Sequence, residues 1–145
     1  MSSIRAILLG GILASCASCT IVQYGYPVVP PVGTEATVCV VGKMDVRRDF
    51  RNTLHDALVA RGLNLMDVDR TLPNENCSLR LIYDAKYSWH GVLYLAWAEI
   101  KVLRKDRLVG EAHYSAPSAG WPTNSRMYDS TTNKVDTMVS QIFPR

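Results

Sequence analysis

The chain has 145 residues, with 16 Lys and Arg against 13 Asp and Glu and a formal net charge of +3 at pH 7. That length suits one domain with short extras, and a composition of 48% hydrophobic and 20% charged residues excludes an intrinsically disordered polymer. There is no Lys/Arg-rich block and no basic stripe with interleaved aromatics, which argues against nucleic acid as a partner; Arg47, Arg48 and Arg51 mix with Asp45 and Asp49 as on a solvated helix face.

Behind Arg5, the run from Ala6 to Ala14 is apolar or small throughout. A transmembrane helix needs about 20 such residues, so this run has the size of a signal-peptide core, with the signal over 1–15. It closes on Leu13-Ala14-Ser15-Cys16. That sequence resembles the lipobox of bacterial lipoproteins, in which the cysteine thiol becomes a diacylglyceryl thioether and the signal is cut just before it. A thiolate is the nucleophile such chemistry needs. Cys16 is therefore the expected lipidation site, and its covalent lipid stands where a cofactor would; no other cofactor and no metal are expected. Cys19 is the rival site, but the residue three before it is Cys16, which is not aliphatic. Residue +2 is Ala17. In enteric bacteria Asp at that place retains a lipoprotein in the inner membrane, so Ala17 implies a periplasm-facing protein of the outer membrane.

Residues 16–34 carry Gly25, Pro27, Pro30, Pro31 and Gly33. They read as a semi-rigid tether extending at about 3.1 Å per residue. The alternative is that Val28, Val29 and Val32 lie along a sheet edge, where proline is tolerated. A single domain is expected over 35–145. Ala36 to Gly42 is a short apolar, β-branched run and predicts a buried strand. Val46, Phe50, Leu54, Ala57 and Leu58 recur at helical spacing, with Asp45 as the expected N-cap, Arg61 in the last turn and Gly62 at the C′ position. Leu63 to Asp69 alternates as a second strand. From Cys77, Leu79, Leu81, Tyr83, Ala85, Tyr87 and Trp89 share one strand face, opposite Arg80, Asp84 and Lys86. His90-Gly91 predicts a turn, Val92 to Leu103 a strand, and Lys105-Asp106 a second turn. Leu108, Gly110, Ala112 and Tyr114 then line one face of the next strand. Tyr128, Thr131, Val135, Met138, Val139 and Ile142 give a final helix stopped by Pro144. The order β-α-β-β-β-β-α predicts an α+β two-layer sandwich, a mostly antiparallel sheet of about four or five strands with two helices on one face.

Chemical motifs are sparse. No Walker loop, dinucleotide glycine pattern, G-x-S-x-G elbow or H-E-x-x-H motif is present. His55, His90 and His113 share no ligand spacing. Asp84, Glu99 and Glu111 are expected near one another on the sheet face opposite the core, where alternation alone makes neighbours, so no catalytic residue is assigned. In an exported domain Cys39 and Cys77 tend to pair; the alternative is two buried thiols packed as small apolar groups.

The stretch from Cys77 to Ala116 resembles a family of small uncharacterised proteobacterial lipoproteins, the one typed on a Shewanella baltica protein. The residues that carry the likeness are Tyr83, Ala85, Tyr87 and Trp89, then Ala98-Glu99-Ile100-Lys101-Val102, then Gly110-Glu111-Ala112-His113-Tyr114. The chain has His90 where the family has Asp, and Lys105-Asp106 where the family has a Gly-bearing turn. The resemblance implies an envelope location and an α+β fold, and it implies no activity. The reading that follows is a non-catalytic, membrane-anchored envelope lipoprotein, a periplasmic interaction or accessory module that meets an envelope protein by an exposed sheet face or edge. Tyr87, Trp89, Tyr94, Trp97 and Trp121 are the aromatics available for such a patch, with Tyr94, Trp97 and Trp121 as the partner-binding candidates. Tyr83 and Trp89 are expected in the core. The alternative is a small-molecule-binding or transport-auxiliary lipoprotein, which requires a cleft with convergent polar groups.

Overall fold

The computed structural model describes residues 21–33, 36–43, 45–68, 77–117 and 125–145. Cys16, Cys19 and Trp121 lie outside these residues. Six strands and two helices follow in chain order: β1 (Val22–Tyr26), β2 (Thr37–Gly42), α1 (Arg48–Ala60), β3 (Asn64–Asp67), β4 (Leu79–Trp89), β5 (Leu93–Arg104), β6 (Arg107–Ser115) and α2 (Thr131–Ile142), the last preceded by a 3-10 turn at Ser125–Tyr128. The fold is α+β, as the sequence pattern predicts. The strands form one sheet in the order β1-β6-β5-β4-β2-β3.

Two features of the sheet differ from expectation. It has a sixth strand, because residues 22–26 of the expected tether pair antiparallel with β6, from Val22 opposite Ser115 to Tyr26 opposite Glu111. The chain stays bound after that strand: Val28 N donates to Ile142 O (2.9 Å) and Val29 N to Val109 O (3.1 Å). Val28 is buried, and it fits because residue 110 is glycine; a Cβ there would lie 2.8 Å from Val28 Cγ2. The prolines limit this segment to the sheet edge, as their missing N–H demands. The second difference is direction. β2 runs parallel to both β3 and β4, because α1 carries the chain back along the sheet before β3 begins. Only β4, β5, β6 and β1 are antiparallel neighbours.

The helices cover one face. On α1, Phe50, Leu54, Ala57 and Leu58 are buried, and on α2 Val135, Met138, Val139 and Ile142. They meet Leu79, Leu81, Tyr83, Ala98, Ile100, Val102, Ala112 and Tyr114 of the central strands in one core. Gly62 closes α1 at φ +78°, and Ser130 caps α2 by accepting from Asn133 N (3.1 Å). Asp45 does not cap α1. The helix starts after Arg47 without a side-chain cap, and Asp49 in its first turn accepts from Phe50 N instead (2.9 Å). Both helices start beside Tyr87: its hydroxyl lies 3.4 Å from that of Thr131, and the Arg47 guanidinium stands over its ring. They finish side by side, where Arg61 Nη1 donates to Phe143 O (2.9 Å).

Two bulges re-aim side chains. At Lys86/Tyr87 the register slips so that Ala96 has no opposite residue. At Val102/Leu103 the slip skips Val109, which turns Leu108 off the core face; it is exposed rather than aligned with Gly110. Trp89 also departs from the core reading. Tyr83 is 2% exposed but Trp89 is 68% exposed, because the β4–β5 hairpin overhangs the helix starts at Tyr87. Cys39 and Cys77 are joined as a disulfide with Cα atoms 5.6 Å apart, tying β2 to the residues just before β4.

Candidate functional site

The sheet face away from the helices carries the polar and aromatic chemistry. The cross-strand register fixes its membership. Tyr24 lies opposite His113, and Tyr26 opposite Glu111; Glu99 lies opposite His113, Lys101 opposite Glu111; Lys86 lies opposite Trp97, Asp84 opposite Glu99. Tyr24 stacks on His113, with centroids 5.2 Å apart and planes at 19°. Trp97 meets the same imidazole edge-on at 5.8 Å and 78°. Tyr26 extends the row, 5.8 Å from Tyr24, and Lys86 Nζ stands 5.5 Å from the Trp97 ring centroid. The result is a continuous stripe, Tyr26–Tyr24–His113–Trp97–Lys86, across four strands. Tyr24 and Tyr26 are 42% and 60% exposed, so the stripe presents ring area to solvent. Rings in such offset and edge-on arrangements hold one another with about 0.5–1.5 kcal/mol per pair.

Asp84, Glu99 and Glu111 do fall beside the stripe, the first two in ion pairs and Glu111 opposite Lys101. Asp84 pairs with Lys43, and Glu99 with Lys101 at 2.9 Å. The hydrogen bond that Lys101 donates to Glu99 raises the Lys101 pKa, against a smaller opposing effect of burial. These pairs make a charge-balanced border rather than an acid–base dyad. Among the described residues, no group of three His, Cys, Asp or Glu side chains is placed to hold a metal ion. His55 sits on α1 beside Asp56, and His90 at the β4–β5 turn, so the three histidines do not converge.

Of the aromatic candidates, Trp97 belongs to the stripe. Tyr94 does not: it is 8% exposed and packs edge-on against Tyr128 at 6.1 Å, because the 3-10 turn folds over the start of β5. Trp121 lies outside the described residues. Tyr24, Tyr26 and His113 join the stripe without being legible as partner-binding residues in the sequence. The signal for the two tyrosines was present in Val22-Gln23-Tyr24-Gly25-Tyr26, which alternates, but the prolines that follow point to a spacer. The small-molecule alternative requires a cleft, and the described residues form a candidate for it. A groove of about 310 Å³ lies at the opposite end of the sheet, lined mostly by apolar side chains from Pro27 to Val32 and from Ile142 to Pro144. Its Arg61 is already engaged with Phe143 O.

Under the helices the chemistry is different. Lys134 is 4% exposed; its Nζ donates to Met127 O (2.7 Å) and stands 5.0 Å from the Tyr114 ring centroid. Burial lowers its pKa, partly offset by Asp129. Burial, with Asp129 and Tyr94 adding to it, pushes the Tyr114 phenol up to about 12. Tyr114 Oη and Gln23 Nε2 are buried without a hydrogen-bond partner.

No protein-family model matches the chain, and no curated protein does. Among solved structures it is similar to the PelC dodecamer from Paraburkholderia phytofirmans in two crystal forms. In one, the identity is 13% and the TM-score 0.63, covering 87% of this chain and all of that one. In the other, the identity is 14% and the TM-score 0.58, over 86% and 98%. At such identities the likeness is one of fold. A minor lipoprotein from Acinetobacter baumannii aligns with a TM-score of 0.37 at 15% identity, over 77% of this chain and 89% of that one.

Proposed function

We propose that the chain is a membrane-anchored lipoprotein of the bacterial envelope, a non-catalytic module that binds an envelope protein through the aromatic stripe of its open sheet face. The observation that carries the binding half is the stripe itself: Tyr24, Tyr26, His113 and Trp97 hold one another in place, charge-paired side chains border them, and no helix covers them among the described residues. Rigid, pre-arranged aromatics lose little side-chain entropy on docking, which is why such residues concentrate at interfaces. The anchoring half rests on Leu13-Ala14-Ser15-Cys16. Ala17 at +2 supports the outer membrane, with the domain facing the periplasm.

The test is a photo-crosslinking amino acid placed at Tyr24 in the lipidated full chain, in native envelopes. A discrete adduct is expected at Tyr24, weakened by Trp97→Ala, and none when the same group replaces Val59 on the solvent side of α1. Absence of an adduct at Tyr24 would overturn the stripe as a docking surface. The similar PelC structures are dodecamers; an adduct joining two copies of this chain would make self-assembly the use of the stripe.

A further inference from the structure

We propose that the β4–β5 hairpin tip, Trp89 to Leu93, is a second and non-covalent membrane contact that seats in the interfacial layer of the bilayer. This rests on the lipoprotein reading above and adds a surface that reading does not use.

The tip is apolar where a turn has no need to be. Trp89, Val92 and Leu93 are 68%, 50% and 44% exposed. From Ala85 to Ala98 there is no acidic residue, and the basic side chains are Lys86 and His90. Three large apolar groups in one exposed turn are unfavourable in water, and they need a cover that accepts both an indole and aliphatic side chains. Tryptophan is the residue most suited to the membrane–water boundary, where its ring body is apolar and its N–H stays wet.

The register says which cover is within reach. Val22, Ser115, Trp97 and Lys86 stand level across β1, β6, β5 and β4. Past this row β4 continues from Lys86 to Trp89, a projection of roughly 10 Å at about 3.3 Å per residue. β1 begins at the same row, and antiparallel pairing with β6 sends the chain upstream of Val22 off that same end of the sheet. Cys16 is six residues before Val22, at most roughly 20 Å of extended chain. A lipid on Cys16 therefore holds this end of the domain, and not the opposite one, within about two nanometres of the bilayer. Among the strands of the sheet, β4 and β5 project furthest in that direction, and the hairpin is their tip. A protein partner has no such geometric claim on the tip.

The experiment uses the mature lipoprotein reconstituted into phosphatidylethanolamine/phosphatidylglycerol vesicles whose acyl chains carry bromine, a contact quencher of indole. Wild type is expected to show a quenched tryptophan component, and Trp89→Phe to lose most of it while folding and vesicle flotation are unchanged. A wild-type protein that floats but is not quenched overturns the proposal while leaving the anchor intact. So does quenching that survives Trp89→Phe and disappears in Trp97→Phe, which would put the open face on the membrane. Intact mass separates the two readings: a chain with no acyl mass on Cys16 removes the anchor and this proposal with it.

Discussion

The two ends of the sheet turn the chain by opposite means. At one end β5 and β6 are joined by Lys105 and Asp106, both in the left-handed region at φ 49° and 62°, flanked by Arg104 and Arg107. Arg80 pairs with Asp106, Arg104 Nη2 donates to Pro30 O (3.0 Å), and Cys77 is covalently tied to Cys39 just before β4 begins. At the other end the turn is Trp89 to Leu93, apolar and overhanging, and beneath it lie a buried lysine and a tyrosine whose hydroxyl has no partner. The first end is built as a soluble protein should be. The second leaves large apolar side chains in the turn itself, and such departures concentrate where a surface is kept for use.

Removing the covalent tie is expected to have the largest effect on stability. Replacing both Cys39 and Cys77 by Ser frees a loop spanning 38 residues, and should lower unfolding free energy by about 4 kcal/mol by the loop-entropy estimate. Urea unfolding measures it. Vesicle quenching at Trp89 should not change under native conditions, because the bond sits at the far end; a parallel loss would mean that the ends are not independent.

Neighbouring residues of one strand sharpen the contrast. Leu95 is 1% exposed and Leu93 44%. Leu95→Ala should cost about 3 kcal/mol, and Leu93→Ala less than about 0.5 kcal/mol, with the order reversed in vesicle affinity. Equal stability losses would show that the tip is packed as core.

The Tyr114 phenol gives a smaller effect and a signature in pH. Its folded pKa, about 12, exceeds the ordinary 10.0, so its contribution to stability is present below pH 10 and is lost as pH rises through about 12. Lys134 has the opposite sign. Its pKa is lowered by burial from 10.5, so it destabilises the fold while charged and is relieved as pH climbs toward 10.5. Tyr114→Phe should be neutral or stabilising by up to about 1 kcal/mol at pH 7, since it removes an unpartnered hydroxyl. It should also flatten the decline between pH 10 and 12, leaving the part due to Tyr87, whose pKa burial also raises. Thermal melts across that range read both; a decline unchanged by Tyr114→Phe would place the titration elsewhere.

The smallest expected change is at the charged turn. Lys105→Asn supplies a residue that tolerates φ > 0 and should stabilise by about 0.5 kcal/mol, seen as a small rise in Tm.

The elements that repeat a strong pattern could be read from the sequence. Phe50, Leu54, Ala57 and Leu58 on α1 have a single solution, and the pairing of β4 with β5 and of β5 with β6 follows from tight turns. What escaped has physical causes. Leu108 and Trp89 sit in correct strands, yet bulges and the end of helix cover decide their faces, and neither leaves a local mark. β1 was hidden because Pro27, Pro30 and Pro31 are equally suited to a spacer and to a sheet edge. With β1 went two of the four rings of the stripe. The parallel setting of β2 and β4 follows from helix placement, which alternation within a strand does not encode.

The pairing of β1 with β6 also has a mechanical consequence. Tension drawn through Val22 from a fixed point acts along the strand axis, and the five facing pairs from Val22–Ser115 to Tyr26–Glu111 lie across that axis. Their hydrogen bonds are loaded together in shear instead of opening one after another like a zipper. A pull at this end is thus shared by the whole ladder and passed into the central strands, so the domain follows its point of attachment as a rigid body.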